Sequence, residues 1–402
     1  MSLIDSLTQP NSTKIVMLVV DGLGGLPEHT NGKTELEQAA TPHLDKLATE
    51  GVTGQIVPIQ VGVTPGSGPA HLALFGYDPL GIKVGRGILE AYGVGIQVGK
   101  EDVAIRGNFC TVDKNGIILD RRAGRISDEI AIPLVQLLRE IKISGLDIDI
   151  RHVNQYRFTM VLRGEGLSAD VNDTDPQDNG VCPLDPQPKS SGAKKTASLL
   201  QEWIIQAGKV LHDQVEANMV ILRGFSHNPG LSTFADRYHL AACCVAVYPM
   251  YRGIARLVGM EIARFDGVTP TAQFQAVEET MNANDYEFVF VHVKQTDSHG
   301  EDGDYSAKVK AIEEIDKAIP KLMQANPDVL VVTGDHSTPS RMQSHSWHPV
   351  PLLLWAPDTA RQDHINSFGE RQCVSGGLGT ISAKDLMSLI LAHAGRLKKY
   401  GA

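Results

Sequence analysis

Several acidic and histidine residues that could bind metal ions lie at the ends of apolar runs far apart in the chain. Each run is rich in β-branched residues and stops at a carboxylate or at a carboxylate–imidazole pair. Mixed ligands of this kind suit Mn²⁺, Zn²⁺, Co²⁺ or Fe, whereas all-oxygen sets suit Mg²⁺. Two ions held a few Å apart are an arrangement used for phosphoryl transfer. The candidate ligands are Asp21 at the end of 14–22, Asp297 at the end of 287–297, Asp335 and His336 at the end of 327–337, and His345 and His348 in HSWHPVP.

Each of these residues also has a plainer interpretation. An aspartate after a strand commonly caps a helix or forms a turn, and the acidic run TDSHGEDGDY could cap a helix that begins near Tyr305. The adjacent Asp335 and His336 are more specific, because one turn then offers two ligands. Their joint placement with Asp21 and Asp297 favours a metal site.

A serine in VTPGSGPAHLALFGYDP (61–77) could supply a nucleophile. Ser67 sits between glycines and prolines and is followed by a helix-like stretch. A serine hydroxyl is a weak nucleophile until a base or a cation activates it. The backbone N–H groups at a helix N-terminus would favour a phosphate there. The alternative is that Ser67 only caps the helix; the ligands elsewhere in the chain favour the nucleophile.

The elements that must position these residues alternate between strand and helix. Continuous apolar runs are typical of buried parallel strands, and helical stretches at 41–51 and 305–323 separate them. This alternation predicts an α/β fold with a mainly parallel sheet, whose chemistry lies at the carboxyl ends of the strands. A further strand is predicted at 350–357 and a helix at 383–395. In the longest helix the predicted apolar stripe is Val309, Ile312, Ile315 and Ile319.

The middle of the chain differs in composition. It holds short strands, an arginine cluster and a polar loop at 173–196 that is rich in Pro, Gly, Asp and Ser. Because the candidate ligands come from both sides of this region, we predict a discontinuous metal-binding domain at 1–84 and 229–402. The inserted, smaller domain is predicted at 85–228. No internal repeat is visible.

The composition is that of a folded protein with an acidic balance. Of 402 residues, 42% are hydrophobic and 21% charged, and the formal net charge is −10. This charge argues against binding to duplex nucleic acid, although local arginines can still bind a small anion. Five cysteines without a C-x-x-C pair indicate reduced thiols. With no signal-peptide pattern and no run near the roughly 20 apolar residues of a membrane span, we expect a soluble cytoplasmic protein without a nucleic-acid or membrane partner. The sequence does not specify the oligomeric state.

Nine stretches together resemble one known family. They are VVDGLGG, ATPHLDKLATEG, TPGSGPAHLALFGYDP, GRGILEAYGVG, VAIRGNF, DRRAGR, HVKQTD, GDHSTP and HSWHPVP, in this order over nearly the whole chain. The chain is similar to the cofactor-independent phosphoglycerate mutases of the archaeal type, within the alkaline phosphatase superfamily. The resemblance implies an alkaline-phosphatase-like sandwich with a mainly parallel central sheet and an inserted smaller α/β domain that binds substrate.

The resemblance also implies a phosphoserine mechanism with two metal ions. Ser67 would take a phosphoryl group from one hydroxyl of glycerate and return it to the other, while the inserted domain excludes water. One ion would be held by Asp21, Ser67, Asp335 and His336, and the other by Asp297, a residue of TDSHGEDGD, and His345.

One of these ligand positions departs from the family pattern. The family usually has D-x-x-G-H, but the position of that histidine holds Glu301 here, and His299 lies two residues earlier. Glu301 could bind the ion, His299 could replace it, or the second ion could be weakly bound or absent. A carboxylate would favour Mn²⁺ or Mg²⁺ over Zn²⁺. We therefore expect two divalent ions, Mn²⁺ or Mg²⁺, with Zn²⁺ and Co²⁺ as alternatives.

Basic residues could bind the carboxylate and the phosphate of such a substrate through charge-assisted hydrogen bonds. Asp173 and Asp175 could bind its hydroxyl groups. The alternative for any single arginine is a solvated basic surface, and Arg252 stands where relatives often carry lysine, which is not equivalent at a phosphate. The candidate substrate-binding residues are Arg106, Asn108, Arg122, Arg125, Arg157, Arg223, Arg252 and Lys294.

The resemblance implies an isomerase of glycolysis and gluconeogenesis that interconverts 3-phosphoglycerate and 2-phosphoglycerate. Two other functions remain open at this stage. A phosphatase or phosphonate hydrolase of the same superfamily would use the same serine and ions with access to water. A non-catalytic relative with an altered second metal site would only bind a metabolite.

Overall fold

The chain forms two compact units in a computed structural model that describes residues 3–29, 32–82, 84–283 and 285–401. The first unit comprises 1–82 with 232–402, and the second comprises 83–231. The assignment of metal binding to one unit and substrate binding to the other stays a prediction. Among the described residues, the helices are all too short or too polar to cross a lipid bilayer.

The strands of the described residues, in chain order, are β1 (Ile15–Val20), β2 (Val52–Val57), β3 (Val103–Val112), β4 (Ile118–Asp120), β5 (Asp147–Asn154), β6 (Arg157–Arg163), β7 (Met219–Ser226), β8 (Ala242–Ala246), β9 (Glu261–Ile262), β10 (Phe288–Val293), β11 (Val329–Thr333), β12 (Val350–Trp355) and β13 (Gly379–Ser382).

The α-helices of the same residues are α1 (Leu3–Leu7), α2 (Glu35–Gln38), α3 (Pro42–Glu50), α4 (Ser67–Leu74), α5 (Arg86–Gly93), α6 (Asp128–Arg139), α7 (Lys194–Leu211), α8 (Phe234–Tyr238), α9 (Pro249–Leu257), α10 (Pro270–Asn282), α11 (Gln295–Glu301), α12 (Tyr305–Met323), α13 (Glu370–Val374) and α14 (Leu386–His393). Short 3-10 helices occur at Ala123–Arg125, Ser191–Ala193 and Ala383–Asp385.

The first unit is built on a sheet that, in the described residues, has eight strands in the order β13-β2-β12-β11-β1-β10-β8-β9. β1 pairs in parallel with β10 and β11, and β10 pairs in parallel with β8. β12 is antiparallel to both of its neighbours, β11 and β2. The predicted α/β class with a mainly parallel sheet is therefore confirmed, with β12 as the strand that reverses direction.

The centre of this sheet is buried because helices cover it, and it is apolar except for residues such as His292 in β10. Every residue of β1 and β10 is buried, as continuous runs in covered parallel strands require. Helices α3 and α10 both pack against α12, and each of the two also contacts strands of the sheet. Helices α9 and α14 contact strands of the same sheet. The rigid central strands fix the positions at which their carboxyl ends leave the sheet.

Two details of the sequence prediction need correction. The predicted strand at 287–297 ends at Val293, and Asp297 lies instead in the helix α11. In α12 the predicted residues Ile312, Ile315 and Ile319 are buried, but Val309 is only half-buried and Lys308 is fully buried beside it. A lysine therefore occupies a place that hydrophobic spacing alone assigned to a valine.

The second unit contains an antiparallel sheet in which β3 is paired with β4, β6 and β7, and β6 also pairs with β5. One face is apolar, with Phe109, Phe158 and Met160 in a core that also takes in residues of α6 and α7 such as Leu138 and Trp203. Alternate residues of the same strands point to the opposite face, where α5 contacts β3, β6 and β7.

Candidate metal centre

The predicted ligands of the first unit meet at one edge of its sheet. Asp21 directly follows β1, and Asp335 and His336 lie two and three residues after β11. Because β1 and β11 are parallel neighbours, their carboxyl ends point the same way. Asp297 reaches the same place from α11, which follows β10, the other parallel neighbour of β1.

One cluster joins Asp21, Asp335 and His336, all fully buried. The Nε2 atom of His336 lies 3.3 Å from Asp21 Oδ1 and 3.2 Å from Asp335 Oδ2. The hydroxyl of Ser67 lies 3.2 Å from the same Nε2 atom. The four residues that the resemblance assigned to one ion are thus neighbours, although up to 315 positions separate them in the chain.

A second cluster joins Asp297, His336 and His345. His345 Nε2 lies 3.6 Å from Asp297 Oδ1 and 3.7 Å from Glu301 Oε1, and the rings of His336 and His345 stack at a centroid distance of 3.6 Å. Glu301 is half exposed at the rim, with 54% of its side chain accessible. His299 belongs to neither cluster that the described residues form.

His348 also lies outside both clusters of the described residues. Its Nδ1 atom is 3.0 Å from Ser346 Oγ, and its ring stacks on Trp347. The acidic run after Asp297 has a structural role at its far end, since Asp304 caps α12 by accepting a hydrogen bond from the Ala307 amide. The helix-cap interpretation of that run thus applies to Asp304, and Asp297 belongs to the cluster.

The donor atoms fit divalent cations. Asp21 Oδ1 and Asp335 Oδ2 are buried without a hydrogen-bond donor in the described residues, and both carboxylates are inaccessible to solvent. Buried carboxylates need a compensating positive charge, and oxygen and imidazole donors grouped in this way suit a first-row divalent ion or Mg²⁺. Without a cation, the carboxylates also act on His336: burial lowers its pKa, but Asp335, Asp21 and Asp297 outweigh burial and raise it to about 9, so a binding cation displaces a proton from Nε2.

Lys294, a predicted substrate-binding residue, lies between the two clusters. Its Nζ atom is 3.1 Å from Asp21 Oδ2 and also contacts Asp297 Oδ2. Burial lowers the pKa of Lys294, but these two carboxylates outweigh burial and raise it above the usual lysine value. The ammonium group of Lys294 is therefore paired with a carboxylate from each cluster.

Ser67 does not cap its helix. The N-cap of α4 is Gly66, and Ser67 is the first helical residue, with no side-chain hydrogen bond to the helix backbone. The interpretation of Ser67 as an N-cap is therefore wrong. His71, one turn further on, binds the Ser67 carbonyl oxygen through Nδ1 at 2.7 Å.

Three buried residues behind the ligands were missed in the sequence. His71 Nδ1 lies 3.4 Å from Asp335 Oδ2, and His292 Nε2 lies 3.3 Å from Asp21 Oδ2. The Tyr251 hydroxyl donates to Asp21 Oδ2, and its ring stacks on His292 at 3.4 Å. Burial is the main reason that the pKa of His71 falls to about 4, so this imidazole is neutral.

A hydroxyl group links the two clusters and fixes the tautomer of His336. Thr338 Oγ1 lies 2.6 Å from Asp297 Oδ1 and 2.9 Å from His336 Nδ1. An ionised carboxylate only accepts, so the threonine must donate to Asp297 and accept from the Nδ1–H of His336. The Nε2 atom, which faces Asp21 and Asp335, is the nitrogen left for a cation.

The basic residues of the second unit form their own cluster on the sheet face that α5 covers. Arg106 of β3 lies opposite Arg223 of β7, and Asn108 lies opposite Arg157 of β6. Directly opposite residues share a face, so these four side chains are neighbours. In α5, Glu90 lies 3.3 Å from Arg106; burial raises the pKa of Glu90, while Arg106, Arg157, Arg86 and Arg223 oppose that rise.

The other predicted substrate-binding residues lie elsewhere. Arg122 and Arg125 are exposed in the turn after β4, where Arg125 has a φ of 55°. Arg252, in α9 of the first unit, donates from Nε to the Ala246 carbonyl at 2.7 Å. Asp175 is paired with Arg121 at 2.8 Å and with Arg223 at 3.3 Å, and Asp173 accepts from the Gly224 amide.

The chain is similar to known proteins over nearly its whole length. Residues 13–393 match the metalloenzyme superfamily. A protein of Thermotoga neapolitana named "Probable 2,3-bisphosphoglycerate-independent phosphoglycerate mutase" is 49% identical over 401 residues, covering 99% of this chain and 98% of that protein. A protein of the same name from Aquifex aeolicus is 46% identical over 413 residues, covering both chains fully. The chain belongs to this mutase family within the metalloenzyme superfamily.

Two solved structures resemble this chain over nearly its whole length. A protein from Pyrococcus horikoshii is 30% identical with a TM-score of 0.84, covering 97% of this chain and 99% of that one. The cofactor-independent phosphoglycerate mutase from Thermoplasma acidophilum is 27% identical with a TM-score of 0.71, covering 95% and 100%. The family, predicted from nine short motifs, is confirmed, and membership of the metalloenzyme superfamily supports the use of a divalent metal.

Proposed function

We propose that the protein is a metal-dependent phosphoglycerate mutase that interconverts 3-phosphoglycerate and 2-phosphoglycerate through a phosphoserine at Ser67. The observation that carries the proposal is the position of the Ser67 hydroxyl, 3.2 Å from His336 Nε2 in a buried cluster with Asp21 and Asp335. A serine beside a group of metal ligands is what activation of its hydroxyl requires. The choice of substrate is supported by the relatives, which are named as probable phosphoglycerate mutases.

Two divalent ions would be held by the chain, and Mn²⁺ or Mg²⁺ suits the donor set. One would lie among Asp21, Ser67, Asp335 and His336, and the other among Asp297, Glu301 and His345. When bound, such ions supply positive charge that stabilises a serine alkoxide and the oxygens of a transferring phosphoryl group. The carboxylate of Glu301, near His345 Nε2 at 3.7 Å, favours a harder ion than an imidazole would at that place.

The phosphoryl group would be transferred in two steps, and in each step one P–O bond breaks and another forms. In the first, the P–O bond of the substrate breaks, the phosphoryl group bonds to Ser67 Oγ, and the proton of Ser67 ends on the glycerate oxygen that is released. In the second, the other glycerate hydroxyl takes the phosphoryl group and its proton returns to Ser67. The phosphate on Ser67 stands at the first turn of α4, whose free N–H groups favour an anion.

The second unit would bind the anionic ends of the substrate through Arg106, Asn108, Arg157 and Arg223. Their grouping on one sheet face supports this role. Glu90 holds Arg106 in place at 3.3 Å. Arg122, Arg125 and Arg252 are further candidates. The substrate is a small phosphorylated acid, and nucleic acid and membrane have no part in the proposal. A cytoplasmic location is proposed as well, supported by the five free cysteines.

The test is a product assay on purified protein with 3-phosphoglycerate and Mn²⁺. We expect 2-phosphoglycerate to form without release of inorganic phosphate, and Ser67→Ala to abolish the reaction while its circular dichroism matches that of the wild type. Release of inorganic phosphate as the main product would instead identify a hydrolase. A normal isomerisation rate in Ser67→Ala would refute the phosphoserine.

A further inference from the structure

A lysine side chain is fully buried behind the metal centre. Lys308, in the first turn of α12, has no accessible surface. Lysine is almost never fully buried unless its charge is compensated, because moving an ammonium group out of water is costly. Lys310, two residues further along the same helix, is exposed. The position of Lys308 therefore calls for a role that an ordinary surface lysine does not have.

The ammonium group of Lys308 joins two backbone segments. Its Nζ atom donates to the Gly24 carbonyl at 3.0 Å and to the Thr338 carbonyl at 2.8 Å. The same Gly24 carbonyl accepts from the Thr338 amide at 3.0 Å. Lys308 thus closes a small ring of hydrogen bonds between the segment after β1 and the segment after β11.

These two segments carry the proposed ligands. Gly24 lies three residues after Asp21, and Thr338 lies two residues after His336. Thr338 also reaches the third segment through its hydrogen bond of 2.6 Å to Asp297. All three ligand-bearing segments are therefore connected, directly or through Thr338, to the buried ammonium group of Lys308.

Two carboxyl groups brace the same segments from the side of Lys308. Glu35 Oε1 accepts from the Ser340 amide at 2.8 Å, and Glu370 Oε1 accepts from the Gly25 amide at 2.8 Å. A Cβ atom at Gly25 would lie 1.8 Å from Glu35 Oε2, so a larger residue there would require the Glu35 side chain to move. Burial lowers the pKa of Lys308, and Glu35 and Glu370 oppose that change.

We propose that Lys308 is a positioning residue that holds the segment of Asp21 against the segment of His336 and so sets the affinity of the metal centre. The inference rests on the proposed metal sites and is independent of the reaction. It assigns a share in ion binding to a residue that contacts backbone carbonyls next to the ligand-bearing positions. Outer contacts that orient ligands typically change metal affinity 10- to 100-fold when removed.

The experiment compares Lys308→Met with Lys310→Met as the matched control on the same helix. Mn²⁺ binding is titrated calorimetrically without substrate, and amide hydrogen exchange is measured on both metal-free variants. We expect Mn²⁺ affinity to fall at least about tenfold in Lys308→Met and to stay within twofold in the control. The Thr338 amide should exchange faster in Lys308→Met, while amides of β1 keep their protection.

Other outcomes separate a positioning role from simple support of the fold. Unchanged Mn²⁺ affinity in Lys308→Met, with or without lower thermal stability, would overturn the proposal. Equal acceleration of exchange in β1 and at Thr338 would also overturn it, because the effect would then be global. If Lys308→Met does not fold, Lys308→Leu, which also removes the N–H donors, is measured in the same way and judged by the same criteria. Because no substrate is present, these results stand whatever the product assay shows.

Discussion

Replacement of Thr338 by valine tests the hydrogen bonds that orient both clusters. Valine has nearly the shape of threonine, so the change opens no cavity and removes only the hydroxyl. The variant loses one bond to the carboxylate of Asp297, at 2.6 Å, and one to the imidazole of His336, at 2.9 Å. The tautomer of His336 that leaves Nε2 free for a cation is then no longer fixed.

The size of the effect follows from these two contacts. A hydrogen bond to a charged group contributes about 1.5–3 kcal/mol. A loss of that size corresponds to roughly 10- to 150-fold in an equilibrium constant, and outer contacts to metal ligands usually account for 10- to 100-fold. We therefore expect Mn²⁺ to bind Thr338→Val about 10 to 100 times more weakly than it binds the wild type.

The assay is calorimetric titration of the metal-free protein with Mn²⁺ at constant pH. Thr333→Val is the matched control, because the Thr333 hydroxyl is also buried and donates to the Pro351 carbonyl at 2.8 Å without touching a proposed ligand. Both variants should unfold at a lower urea concentration than the wild type, but only Thr338→Val should bind Mn²⁺ more weakly. Equal Mn²⁺ affinities for Thr338→Val and the wild type, or equal losses in both variants, would refute the reasoning.

Two further predictions concern metal selectivity and pH. Glu301→His should raise the affinity for Zn²⁺ relative to Mn²⁺, since it exchanges a hard donor near His345 for an imidazole; competition between the two ions measures the ratio, and an unchanged ratio would remove Glu301 from the site. Burial raises the pKa of Glu370 to about 7 against hydrogen bonds from Thr34 and Gly25 that lower it. The folded state therefore holds this proton more tightly, and the resulting stability is complete below about pH 4.5 and is lost as the pH rises through 7. Urea unfolding at several pH values should show a smaller loss between pH 5 and 8 in Glu370→Gln than in the wild type; identical losses would contradict the assignment.

The sequence predicted the parts of the fold that depend on long hydrophobic runs. The strand that ends before Asp21 and the helix at 305–323 are where the patterns placed them. The Asp335–His336 pair was recognised because polar residues directly after a buried strand must lie at the sheet edge. The predicted end of the strand before Asp297 was wrong, because the residues QTD fit a loop and the first turn of α11 equally well.

Other features could not be predicted because they arise from long-range packing. His71 and His292 lie inside apolar runs, where a histidine is indistinguishable from a core residue until its distance to an aspartate is known. In the sequence, Lys308 cannot be distinguished from a surface lysine, because the carbonyl oxygens that it binds come from the distant positions 24 and 338. The Arg106–Arg223 pair depends on strand register across 117 positions, which no local pattern specifies.

The place of β1 in the sheet has a consequence for synthesis of the protein in the cell. β1 is made among the first 20 residues, yet its partner β10 begins at Phe288, so Ile15 and its pairing residue are roughly 270 residues apart. At about 5 to 20 residues per second, the ribosome needs about a quarter of a minute to a minute to make that stretch. Throughout this time the most apolar strand of the nascent chain has no sheet to join, while the second unit, whose strands all lie within 83–231, can form once residue 231 has been made. β1 therefore cannot complete its pairing with β10 until Phe288–Val293 has been made.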